Sequence, residues 1–163
     1  MTKLFRAVVA VAIVASLSGA VVVVAQDEAK AKQEHVILTP EDLKWGDAPP
    51  ILPAGAKAVV LDGDPKKEGV FHMRLKLPAG YKVPPHWHPV HERLTVLSGK
   101  FHVGLGEKFD ETKCKPLGPG GFFCMPPKTA HFAMTSEETI VQLSTSGPWS
   151  LTYVNPADDP SKK

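Results

Sequence analysis

The stretch from Gly80 to Gly99 reads Gly80-Tyr-Lys-Val-Pro-Pro-His86-Trp-His88-Pro-Val-His91-Glu92-Arg-Leu-Thr-Val-Leu-Ser-Gly99. In an extended strand, side chains two apart face the same way. His86 and His88 can therefore point into one cavity. Glu92, Leu94 and Val96 keep the same even parity. Imidazoles and a carboxylate facing inward, followed by aliphatics facing inward, predict a metal site at the mouth of an apolar barrel. Burying such a group without an ion or a hydrogen-bond network would be costly.

Downstream, Gly120, Pro126 and His131 fall at a second set of fixed spacings. The first stretch resembles the first cupin motif, G-x5-H-x-H-x3-E-x6-G, at Gly80, His86, His88, Glu92 and Gly99. The later residues resemble the second motif, G-x5-P-x-G-x2-H-x3-N, with two departures. Lys128 stands where glycine is usual and Thr135 where asparagine is usual. Both departures read as touching a turn and a peripheral position, with all four ligand positions intact. The resemblance implies an all-β, single antiparallel jelly-roll barrel. It also implies one divalent metal ion held by His86, His88, Glu92 and His131, and pairing into a homodimer through the outer sheets.

The rest of the chain agrees with that architecture. Residues 70–77 alternate, with Phe71, Met73, Leu75 and Leu77 on one face and His72, Arg74 and Lys76 on the other. Further strands are expected at 58–61, 101–105, 120–126, 139–143 and 151–154, and a short edge strand at 35–38. Asp62-Gly63-Asp64-Pro65 is a turn by composition. Thr39 and Pro40 suit a helix start. Residues 107–119 read as a loop with a short strand near Cys114. The tail, 155–163, is polar and is expected to be ordered only in part. Short strands with glycine and proline turns indicate a barrel or jelly roll.

The chain has 163 residues, enough for one domain, and a net charge of +2. No run of like charge suggests nucleic acid. Sixteen prolines and thirteen glycines favour a loop-rich β domain. At the start, Lys3 and Arg6 precede an apolar run over 7–24, and Val23-Val24-Ala25 precedes polar Gln26. This layout is that of a signal peptide over 1–25, which places the mature domain, 26–163 with its barrel at about 57–154, in the periplasm or outside the cell. The alternative is an uncleaved N-terminal anchor, since about 20 apolar residues span a bilayer.

Three imidazoles and a carboxylate suit iron, manganese, copper, zinc or nickel, and composition does not choose among them. His91 has odd parity and reads as a rim residue. Phe71, Met73, Phe101, Val103 and Met125 are candidates to line the cavity, and Gln142, interrupting an apolar strand, is a candidate to orient a metal-bound water. Trp87 faces away from the ligands. Cys114 and Cys124 either bridge, which needs Cα atoms within about 7 Å, or remain separate thiols. No acid–base pair or nucleophile stands out beyond the ligands. The sequence therefore carries two readings. One is a metal-dependent enzyme acting on a small organic molecule, with oxygen-dependent oxidation foremost. The other is a non-enzymatic metal- or ligand-binding protein, a sensor or carrier.

Overall fold

Residues Gly69–Leu77 form the backbone of one sheet for the reason their alternation suggests: Phe71, Met73, Leu75 and Leu77 are buried, while the residues between them are not. Burying each such side chain stabilises the fold by about 1.5–3 kcal/mol. The structure, a computed structural model, describes residues 35–163. The expected leader over 1–25 lies outside the described residues.

Eleven strands run in chain order among the described residues. They are β1 (Gly46–Asp47), β2 (Lys57–Asp62), β3 (Gly69–Leu77), β4 (Lys82–Trp87), β5 (Glu92–Ser98), β6 (Phe101–Leu105), β7 (Lys115–Leu117), β8 (Phe122–Met125), β9 (His131–Thr135), β10 (Thr139–Gly147) and β11 (Thr152–Tyr153). One antiparallel sheet has the order β1-β2-β3-β10-β5-β8, and the other β11-β4-β9-β6-β7. The core lies between them and includes Leu94, Val96, Phe101, Phe123, Val141 and Leu143. This is the all-β jelly roll that the strand pattern and the motifs led to.

Gly99 closes the β5–β6 hairpin at φ +77, and a Cβ there would lie 2.3 Å from the Glu138 carbonyl oxygen. Only glycine meets both conditions. The segment 35–38 is not a strand: Val36, Ile37 and Leu38 are exposed, and no described strand supplies a ladder for it. Thr39 instead opens a single 3-10 turn, Pro40–Asp42, whose Asp42 carboxylate accepts from the Thr39 amide at 2.8 Å. The tail carries two 3-10 turns, capped by Asn155 and Asp159.

Candidate metal centre

Four side chains from both sheets meet at one end of the barrel. His86 lies near the end of β4, and His88 follows just after it. Glu92 opens β5 in the other sheet, and His131 opens β9. His86 and His131 are cross-strand partners, which brings their rings to 4.3 Å between centroids. The register of β4 shifts between Val83 and His86, across Pro84 and Pro85. Proline cannot donate to a ladder and is at home in such an irregularity. The shift lets odd-numbered Val83 and even-numbered His86 line the same cavity.

All four groups are buried, with exposures between 2% and 8%. The histidine ring nitrogens lie within 4.8 Å of one another. Glu92 reaches two of these rings, its Oε2 2.9 Å from His131 Nε2 and its Oε1 3.6 Å from His88 Nε2.

The far side of each ring fixes its tautomer. His86 Nδ1 donates to the Pro84 carbonyl at 2.7 Å, His88 Nδ1 to the Ser150 carbonyl at 2.7 Å and His131 Nδ1 to the Thr129 carbonyl at 2.9 Å. A carbonyl only accepts, so each Nδ1 holds the proton and each neutral ring presents its Nε2 lone pair. With all three rings neutral, three lone pairs and a carboxylate thus converge; without an ion, His131 Nε2, 2.9 Å from Glu92 Oε2, is the nitrogen that takes a proton most readily. His88 Nε2 is buried without a hydrogen-bond partner, as is the Trp149 indole Nε1, and Glu92 Oε2 has one only when His131 Nε2 carries a proton. Such a cluster of acceptors calls for a cation, and ligand rings held by backbone carbonyls are the usual support of a metal site. The residues fit a divalent transition ion.

Burial holds His86 down to about 3, assisted by the charges of His131 and His88. Burial also holds His88 below the ordinary histidine value, against the pull of Glu92. Burial acts in the same sense on His131, but the contact with Glu92 outweighs it and raises this ring. Burial alone would raise Glu92; its contact with His131 and the charges of all three rings keep it below the usual carboxylate range.

The other expected site residues separate. Phe101 lines the cavity. Phe71 and Met73 are buried but do not line it, because the cavity reaches only the far end of β3, at Leu75 and Leu77. Val103 and Met125 line a different groove. Gln142 faces outward between two inward-facing neighbours and accepts from Arg74 Nε at 3.1 Å, so it does not address the metal end. Cys114 and Cys124 are both free, one beside β7 and the other exposed on β8. His91 is exposed.

Thr135 is not peripheral. It is 1% exposed; its hydroxyl donates to the Pro78 carbonyl at 2.6 Å and accepts from the Tyr81 amide at 3.1 Å. It ties the turn that begins the first motif to the end of the second. Lys128 adopts φ +62, the left-handed conformation that the usual glycine would take without strain, and its amide donates to the His88 carbonyl at 2.8 Å. Sequence reasoning missed Trp149, whose ring stacks on His88 at 5.5 Å, and Tyr81, whose hydroxyl donates to the Pro53 carbonyl at 2.5 Å; both line the cavity. Only their aromatic character marked them.

A two-sheet antiparallel roll with three histidines and a glutamate at one end defines a cupin. Residues 18–152 match the family described as "Domain of unknown function (DUF4437)", and the chain belongs to that family. No curated protein matches the sequence. Among solved structures, the chain is similar to KdgF from Halomonas sp., at 25% identity over 70% of this chain and 93% of that one, with a TM-score of 0.53. It is similar to an RmlC-like cupin from Shewanella frigidimarina NCIMB 400 at 22% identity, over 70% and 91% of the two chains, with a TM-score of 0.55. The polyketide cyclase RemF from Streptomyces resistomycificus shares the fold at 16% identity, over 79% and 92%, with a TM-score of 0.61.

Proposed function

We propose that this chain is a metal-dependent cupin that acts on a small, largely apolar organic molecule at His86, His88, Glu92 and His131, as an oxygen-dependent oxidoreductase. One observation carries the reading: three imidazoles and a carboxylate, all metal-type ligands, line one cavity whose other walls are mainly aliphatic and aromatic. Among the described residues no separate acid–base pair lines the cavity, and the chemistry is assigned to the ion. When bound, a redox-active ion supplies Lewis acidity and access to dioxygen. The chain's residues do the rest. Three carbonyl-anchored rings and Glu92 hold the ion, and the leucines, Phe101 and Phe123 exclude bulk water. Thr129, Pro84 and Ser150 keep the Nδ1 protons on the outer side of the rings.

Elemental analysis of protein from its native compartment, paired with oxygen uptake, tests this reading. Stoichiometric iron, manganese, copper or nickel with uptake supports it. Zinc alone overturns the oxidative part. The second reading, a non-enzymatic metal- or ligand-binding cupin, is favoured by the size of the cavity, about 40 Å3. It gains if metal binds stoichiometrically and nothing turns over.

Export of the mature domain from about Gln26, and a homodimer, belong to the same proposal. They are supported by the apolar run over 7–24 and by the cupin class. Intact mass and sedimentation at tens of micromolar test them; a mass retaining the first 25 residues, or a monomer, counts against each.

A further inference from the structure

The metal cavity, at about 40 Å3, has room for a few waters and none for an organic substrate. Beside it a groove of about 470 Å3 opens between β6–β7 of one sheet and β8 of the other. That volume is within the range of small-molecule sites. Phe123 lines both spaces. Its ring stands edge-on to His131 at 6.4 Å and stacks on Phe101 at 6.0 Å. The groove runs alongside the ligands: Met125 is the cross-strand partner of Glu92, and Leu105 that of His131.

Its walls are apolar and wet. Leu105 is 62% exposed and Phe122 56%. Large apolar side chains left together in solvent mark a binding surface. The charged side chains lining the groove are Lys113 and Lys115, with no carboxylate among the lining residues. Lys113 is 3.6 Å from Asp110. The other lysine–carboxylate pairs of the described residues involve Lys57, Lys67, Lys82 and Lys162, which leaves Lys115 without a partner among them.

We infer that this groove binds an organic monocarboxylate with an apolar body, the body lying on Leu105, Leu117 and Phe122 and the carboxylate on Lys115. Phe123 is the wall that must yield for the substrate to reach the metal. The inference rests on the metal-dependent reading above for the role of Phe123, and on the groove alone for binding.

Octanoate, titrated into the full chain and followed by calorimetry and methyl NMR, tests it. Saturable binding that shifts the Leu105 and Leu117 methyls is expected. Lys115→Glu, an exposed change, weakens binding about tenfold, roughly the loss of one good charge contact. Phe122→Ser, also exposed, weakens it severalfold. His88→Ala, which removes the metal, leaves octanoate affinity within about twofold, since the groove and the ligand set are separate contacts. In manganese-loaded protein, Phe123→Ala increases the paramagnetic relaxation of octanoate protons. No saturable binding, or binding indifferent to Lys115→Glu, overturns the groove. Unchanged relaxation in a Phe123→Ala protein that retains its metal overturns the gate. Octanoate binding to a wild-type protein that takes up no metal leaves the groove standing and sinks the metal reading instead.

Discussion

His88 and Ser150, 62 residues apart in sequence, are joined by a 2.7 Å hydrogen bond from ring Nδ1 to backbone carbonyl. The segment after the second motif therefore orients a ligand of the first. Trp149 reinforces this by stacking on the same ring at an interplanar angle of 21°. Trp149→Ala should leave the ligand set intact and still weaken metal binding about tenfold, the usual scale for losing support of a ligand ring. Competition with a chelator measures it.

The ligand assignment makes a sharper claim. His88→Ala should abolish stoichiometric metal and lower the melting temperature, because an ion bound only to the folded state adds to its stability. His91→Ala, at an exposed position, should keep full occupancy. Elemental analysis of the two variants decides between them, and full metal in the first would end the assignment.

In metal-free protein the ligand rings should titrate in opposite directions. His86, buried and beside two other rings, should stay neutral down to about pH 3. His131, facing Glu92, should take its proton above the ordinary histidine value despite its burial. The sign for stability follows. The raised His131 stabilises the fold below about pH 6.5, and that contribution fades as pH rises through its folded value. The lowered His86 and His88 act oppositely, and the fold weakens as pH falls from about 6.5 through their folded values. Imidazole NMR signals followed from pH 8 to 4 check the order; a His86 ring that titrates near 6.5 would refute it.

Lys128 holds a left-handed backbone with a side chain that disfavours it by about 1–2 kcal/mol. Glycine removes that strain but adds freedom to the unfolded chain, at about 0.4–1 kcal/mol. Lys128→Gly should therefore be neutral to stabilising, by up to about 1.6 kcal/mol, in a denaturant titration.

Thr135→Val keeps the shape but removes the hydroxyl that bonds the Tyr81 amide and the Pro78 carbonyl, leaving these two only their longer mutual bond of 3.3 Å. A loss of about 0.5–1.5 kcal/mol is expected from chemical denaturation.

Much of the site was legible because it obeys counting rules. Strand parity and fixed spacing isolate His86, His88 and Glu92, and the second motif adds His131. Parity also placed Phe71 and Met73 inward, which is where they lie, but it carries no information about depth along the barrel, and the cavity meets β3 only at Leu75 and Leu77. Gln142 was misread for the opposite reason: the break in apolarity was its outward-facing turn, answered by Arg74 across the sheet. Trp149 was invisible because it follows β10 in a loop, where no periodicity operates, and its importance arises from a contact with His88 that only the closed barrel creates. Thr135 looked dispensable because a motif lists identities, while its role is to bridge two turns through one hydroxyl.

Each of the three imidazoles is clamped by a carbonyl of its own surroundings before any ion arrives. An ion entering such a cage finds donors that cannot swing to suit it. Ions of equal charge would then be sorted by how well their preferred coordination tolerates a stiff mould, and exchange of one for another would be governed by breathing of the strands rather than by rotation of the rings.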